Sequence, residues 1–324
     1  MRWRVESWDP GYGASTEDQG DWGRSSAQVV TDVEVPEARW EAIDPDPNAG
    51  DFSSVLFVDG VRRIDAMAWV LDNEVSADPA AALALCASYA AGVVRCRAGE
   101  ARLVTAEVRR GLFSGAEGAT DVDTSAGRYV HVHAATKAEA GVPAQDLSQA
   151  VQFELRAVEI AAASSARAGA DPAVGDDDVL VVDGPLHGRA HLPRALGYVK
   201  THSKPYLPDT LHGLVGRLTT GQRTPVFGLG TSWHRYSWYL KLPGGSGAPW
   251  AGVVRVECSS ELPIVEVIEL ARRSQPMLCR YASTEYKDSR APQNLYPIAG
   301  LERELRRRMG DQSLLYRAIR RAAI

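Results

Sequence analysis

Two apolar, β-branched runs in this chain each end in an aspartate and a glycine. The first is Ser54-Val55-Leu56-Phe57-Val58-Asp59-Gly60-Val61-Arg62. The second is Val179-Leu180-Val181-Val182-Asp183-Gly184-Pro185-Leu186. Short continuous apolar runs of this kind read as buried strands. Each therefore delivers one carboxylate at the carboxyl end of a strand. An Asp-Gly after a strand is ordinarily a turn, because both residues tolerate the backbone angles a turn needs. With the extended pattern Val61–Val70 following, Asp59-Gly60 predicts a hairpin.

A helix precedes the second run. Leu147, Val151, Leu155, Val158 and Ala162 recur at helical spacing over Asp146–Ala163, with Asp146 or Ser148 as N-cap. A Gly-, Ala- and Asp-rich loop over residues 164–178 leads into the strand. Helix, loop and strand in this order are α/β in character. Further strands are expected over residues 82–97, 102–109 and 129–133. Residues 235–242 and 252–257 are expected to form a β-hairpin. A helix is expected over residues 263–271, and a basic helix pair broken near Gly310 over 301–324.

Residues 1–50 are rich in Gly, Asp, Ser and Pro, with Trp3, Trp8, Trp22 and Trp40 spaced along them. They read as an irregular arm packing its tryptophans on the body, with a short helix near Glu37–Ile43. Disordered tails are poor in aromatics. Residues 51–324 read as the main domain. At 45% hydrophobic and 24% charged, the 324 residues can bury a sizeable core. No apolar run reaches the ~18 residues that would span a bilayer. No secretory signal is visible at the N-terminus. Cys86, Cys96, Cys258 and Cys279 contain no CxxC pair, which excludes the usual zinc spacing and suits a reducing cytoplasm. The net charge of −5 does not advertise nucleic-acid binding, so that role would fall to local patches such as Arg303, Arg306, Arg307, Arg308, Arg317, Arg320 and Arg321.

Two strand-end carboxylates with a third from a helix suit hard divalent ions, which want oxygen ligands. Asp59 and Asp183 are the strand candidates, and Glu154 and Glu159 the helix candidates. Lys200, beside Thr201, His202, Ser203 and Lys204, follows a strand and forms a basic loop able to contact phosphate. There is no glycine-rich nucleotide fingerprint and no nucleophile elbow.

Five segments in order resemble the NurA nucleases: Phe57-Val58-Asp59-Gly60; Leu155-Arg156-Ala157-Val158-Glu159; Val181-Val182-Asp183-Gly184-Pro185-Leu186; Gly197-Tyr198-Val199-Lys200-Thr201-His202-Ser203; and Leu295-Tyr296-Pro297. The resemblance covers roughly residues 54–310. It implies an RNase H-like mixed β-sheet flanked by helices, here with an irregular N-terminal arm and an additional β-hairpin. It also implies a Mn²⁺- (or Mg²⁺-) dependent deoxyribonuclease with 5'-to-3' polarity, active in DNA end processing and repair. Such an enzyme would be cytoplasmic and homodimeric, and would work on DNA with a HerA-like hexameric ATPase. By resemblance, Asp59 and Asp183 are metal ligands and Glu159 the third, with Glu154 as its substitute. Lys200 contacts the phosphate, and Tyr296 matches the family's C-terminal Tyr-Pro. The family's histidine after Tyr-Pro is missing, and Glu302 or Glu304 occupies that neighbourhood. Two rival readings follow: a degenerate subunit binding DNA ends and an ATPase, and an RNase H-like nuclease acting on RNA.

Overall fold

The computed structural model describes residues 27–72, 80–134, 143–168, 177–202, 205–244, 250–284, 286–287 and 290–323. Trp3, Trp8, Trp22, Ser203, Lys204 and most of the 164–178 loop lie outside the described residues. Among the described residues, the strands of a mixed sheet follow the order β1 (Gln28–Val30), β9 (Phe227–Gly230), β10 (His234–Lys241), β11 (Val253–Ser259), β8 (Ala195–Val199) and β7 (Asp178–Asp183) in one part of the chain, and β2 (Ser54–Asp72), β3 (Ala80–Arg97), β4 (Glu100–Ser114), β6 (Gly127–His133) and β5 (Val122–Thr124) in the other. The β7–β8 and β4–β6 pairs are parallel. The pairs β1–β9, β9–β10, β10–β11, β11–β8 and β5–β6 are antiparallel. A mixed sheet flanked by helices is the architecture the sequence predicts. By compactness the chain divides into two units: Met1–Phe57, Val94–Arg102 and Gly169–Ala299; and Val58–Val93, Leu103–Ala168 and Gly300–Ile324.

In the first unit lie β1 (Gln28–Val30), β7 (Asp178–Asp183), β8 (Ala195–Val199), β9 (Phe227–Gly230), β10 (His234–Lys241) and β11 (Val253–Ser259), with α2 (Asp209–Val215) and α3 (Ile264–Tyr281). β10 and β11 are the expected hairpin. The arm is built in where it is described. β1 pairs with β9, Trp40 packs against Phe227, and Glu34 forms a double ion pair with Arg223 at 2.7 Å. Only a single 3-10 turn, Glu37–Arg39, stands where a short helix is expected. α3 runs ten residues beyond its expected end, through Pro276. Its buried stripe of Val267, Leu270, Ala271, Ser274, Met277 and Leu278 continues past the proline. That packing outweighs a helix-interior proline's cost of about 3 kcal/mol.

In the second unit, long strands carry the helices. β2 (Ser54–Asp72) enters it from Val58, followed by β3 (Ala80–Arg97), β4 (Glu100–Ser114), β5 (Val122–Thr124) and β6 (Gly127–His133). β3 alternates as a strand covered on both sides should. Leu85, Ala87, Tyr89 and Ala91 join the cluster of α1 (Pro143–Ala168), which contributes Leu147, Val151, Leu155 and Val158. Ala84 and Cys86 join the cluster of α5 (Gln312–Ala322) around Tyr129 and Ile319. α4 (Tyr296–Met309) brings Leu301 and Leu305 over Gly92. Each fully buried Leu stabilises the fold by about 1.5–3 kcal/mol. α1 starts three residues before the expected N-cap, with Pro143 in its first turn where a missing N–H costs nothing. Ser148 is instead a partner of Arg62, at 3.0 Å. Gly310, at φ +86°, separates α4 from α5 as expected, and the Asp311 side chain caps α5 through the Leu314 N–H.

The two Asp-Gly pairs differ. Gly184 sits at φ +107°, where only glycine is unstrained, and the chain leaves the sheet there. Gly60 has no positive φ, and β2 passes straight through Asp59-Gly60 for nineteen residues. The expected hairpin at Asp59 is therefore absent. Val55–Val58 and Val61 are all buried, so extending the strand through the pair keeps both of its flanks in the core.

Candidate metal centre

In the second unit, Asp59 and Glu302 each offer a carboxylate oxygen, and these atoms lie within 4.8 Å of each other. Asp59 and Glu302 are each only 7% exposed. Asp59 comes from β2 and Glu302 from α4, while Asp183 ends β7 in the first unit. Glu302 sits on the buried stripe of its helix with Ile298, Leu301, Leu305 and Met309. A carboxylate in an apolar stripe is the signal that marks it in sequence. Glu304, two residues on, faces solvent and pairs with Arg307 and Arg308, which hold its carboxyl down at about 2.

The expected helix glutamates stand elsewhere. A methyl group built on Gly60 would lie 2.5 Å from Glu159 Oε1. Gly60 therefore faces Glu159, and its neighbour Asp59 faces the other side of the strand. Arg62, in step with Gly60, also reaches α1. Glu154 faces Tyr89, whose hydroxyl is pushed up by burial and then by the Glu154 charge. Neither glutamate joins the cluster. Among the described residues, Glu302 of α4, and neither α1 glutamate, lies with Asp59.

Lys200 is 8% exposed. Its ammonium donates to Asp183 Oδ2 at 2.7 Å and to Asn294 Oδ1 at 3.0 Å. Asn294 is fully buried and precedes Tyr296 by two residues, so the Tyr-Pro segment also supplies the group that orients Lys200. Nothing in its side-chain type singled it out in the sequence. Tyr296 itself is 38% exposed, and its hydroxyl meets Thr284 Oγ1 at 2.8 Å, with Lys287 over its ring. Tyr198, opposite Asp183 in the β7–β8 register, donates to the Gln293 carbonyl at 2.7 Å. Burial, with the Asp183 charge second, holds its hydroxyl well above the usual phenol range. His202 is not at the cluster. Its Nε2–H donates to the Val253 carbonyl at 2.9 Å, and its ring packs on Trp250 and Tyr239. Burial lowers it to about 4, so it is neutral at neutral pH.

Clustered carboxylates such as Asp59 and Glu302 repel one another, and a cation relieves that repulsion. Oxygen-only donors fit a hard divalent ion such as Mn²⁺ or Mg²⁺ and suit soft metals poorly.

No protein-family model matches the chain, and no curated protein matches it. Among solved structures, it is similar to the NurA nuclease from Sulfolobus solfataricus, with a TM-score of 0.44 and 11% identity. That match covers 83% of this chain and 84% of the other. It is also similar to the catalytic domain of human endonuclease V, with a TM-score of 0.33 and 18% identity, over 83% of this chain and 91% of that domain. No helix among the described residues is long and apolar enough to cross a membrane.

Proposed function

We propose that this protein is a metal-dependent DNA nuclease of the NurA type, hydrolysing phosphodiester bonds with Asp59, Asp183 and Glu302 as its metal ligands. The observation that carries this reading is the meeting of the Asp59 and Glu302 carboxylates within 4.8 Å, to which the order of the motifs adds Asp183, bound by Lys200. Asp59, Asp183 and Glu302 would hold Mn²⁺ or Mg²⁺, which supplies Lewis-acid polarisation of the phosphate and activation of water. The Lys200 ammonium, held by Asp183 and Asn294, would meet a phosphate oxygen and offset charge that develops in the transition state.

The finer features rest on the motif order alone: 5'-to-3' polarity, a homodimeric state, end processing in repair, and partnership with a HerA-like hexameric ATPase. The cluster completed by Glu302 favours a working enzyme over a degenerate subunit, because a carboxylate fills the place of the absent histidine. Asp59→Ala should abolish Mn²⁺-dependent cleavage of linear DNA with its circular dichroism unchanged. Wild-type cleavage by that variant would overturn the reading. End-labelled DNA and RNA digested side by side separate a deoxyribonuclease from a ribonuclease and report the polarity.

A further inference from the structure

We infer that Glu257 is a positioning residue for Asp183, acting through the backbone of Leu186; this rests on the nuclease reading of the cluster. Glu257 lies on β11 directly opposite Gly197 of β8. The neighbour of β8 on its other side is β7, which ends in Asp183. The Glu257 side chain crosses over Gly197, and its Oε1 accepts the Leu186 N–H at 2.7 Å. One side chain thus spans a strand to grip the segment where β7 leaves the sheet.

Two further observations fit this crossing. A methyl group on Gly197 would lie 2.7 Å from Leu186 N and 2.8 Å from Glu257 Cγ, so glycine is required for the close approach. Glu257 is itself fully buried and held, with Oε2 accepting from Arg235 Nε and Arg255 Nη1, both at 2.9 Å. The two guanidiniums fix the carboxylate, and the carboxylate fixes Leu186. On the other side, Gly184 exchanges hydrogen bonds with Tyr198, at 2.8 and 3.0 Å. Asp183 is therefore clamped between a ladder pair at Gly184 and the Glu257 anchor at Leu186, with only Gly184 and Pro185 between aspartate and anchor.

Partners that orient metal ligands commonly change metal affinity or activity by roughly 10–100-fold when altered. In Glu257→Gln the amide oxygen should turn to the guanidiniums and present its NH₂ to the Leu186 N–H, releasing the loop. Gly197→Ala should press on the same crossing. Both variants should bind Mn²⁺ at least about tenfold more weakly by calorimetry and lose kcat more than KM changes. A control, Arg223→Lys in the buried pair with Glu34, should lose stability and keep both values per folded molecule. Wild-type Mn²⁺ affinity and kcat in folded Glu257→Gln or Gly197→Ala overturns the inference. Hydrogen exchange at the ¹⁵N-labelled Leu186 amide of the unaltered protein decides the matter if neither variant folds. Strong protection supports the anchor, and exchange at the rate of an open loop refutes it. Failure of the nuclease reading would appear separately, as undiminished cleavage by Asp59→Ala.

Discussion

The Glu159 carboxylate stands directly over Gly60, so close that a methyl group on that glycine would lie 2.5 Å from Oε1. Successive residues of a strand face opposite ways. The carboxylate is therefore on the far side of β2 from the Asp59 side chain, and Glu302 of α4 is on the near side with it. The outcome separates the two glutamates by experiment. Glu302→Gln should lower Mn²⁺ affinity and cleavage by at least about 100-fold, the scale of losing one preorganised charged group. Glu159→Gln should leave Mn²⁺ binding within about threefold of wild type, well under the tenfold that 1.4 kcal/mol represents. Calorimetric titration of both variants is the check, and the reverse order would reassign the third ligand.

Lys200 is tied to Asp183 and Asn294, so its ammonium is fixed in place without substrate. Lys200→Met should reduce kcat by about 10²–10³-fold, the usual loss for a preorganised transition-state donor. Lys200→Arg should recover only part of this, because a planar fork cannot reproduce a point charge held by two oxygens. Single-turnover cleavage at saturating DNA separates this loss from a binding defect.

Asp65 anchors the second unit. Its carboxylate accepts from Arg63 Nε at 2.8 Å, from Tyr129 Oη at 3.0 Å and from the Ser88 hydroxyl, and its side chain is fully buried. Asp65→Ala strands all three donors and should cost about 3–5 kcal/mol. Asp65→Asn keeps one acceptor oxygen and should cost less. Urea unfolding midpoints at constant slope give both values.

His202 makes stability depend on pH. Burial lowers its imidazole to about 4 in the folded protein, below the 6.5 of an ordinary histidine. As pH falls below about 6.5 the unfolded chain takes up this proton first, so stability is lost down to about pH 4. The full loss is about 3 kcal/mol on the scale of 1.36 kcal/mol per unit. His202→Gln should flatten that part of the pH profile. Urea midpoints at pH 7 and pH 5 for both proteins make the comparison, and equal slopes would refute it.

Much of the frame is legible in the sequence, because local periodicity encodes it. The stripe from Leu147 to Ala162 announces α1, the alternating residues around Arg235 and Val256 announce the β10–β11 hairpin, and Gly310 announces the break between the last helices. Signals that compete locally mislead. Asp59-Gly60 has the chemistry of a turn, yet the apolar residues on both sides hold it extended. The helix expected over residues 263–271 runs on, because the buried face of α3 carries it past Pro276.

The sequence by itself determined that two apolar strands carry aspartates, that Lys200 follows a strand, and that acidic residues follow Tyr296. Which carboxylates meet was decided only by the tertiary structure. Glu159 and Glu302 are 143 positions apart, and their helices present them to different faces of β2. Whether a side chain joins Asp59 depends on that choice of face, and face is a property of packing around a strand rather than of spacing along the chain. Glu257 and Leu186 show the same rule. Seventy-one residues separate them, and the missing Cβ of Gly197 lets them touch.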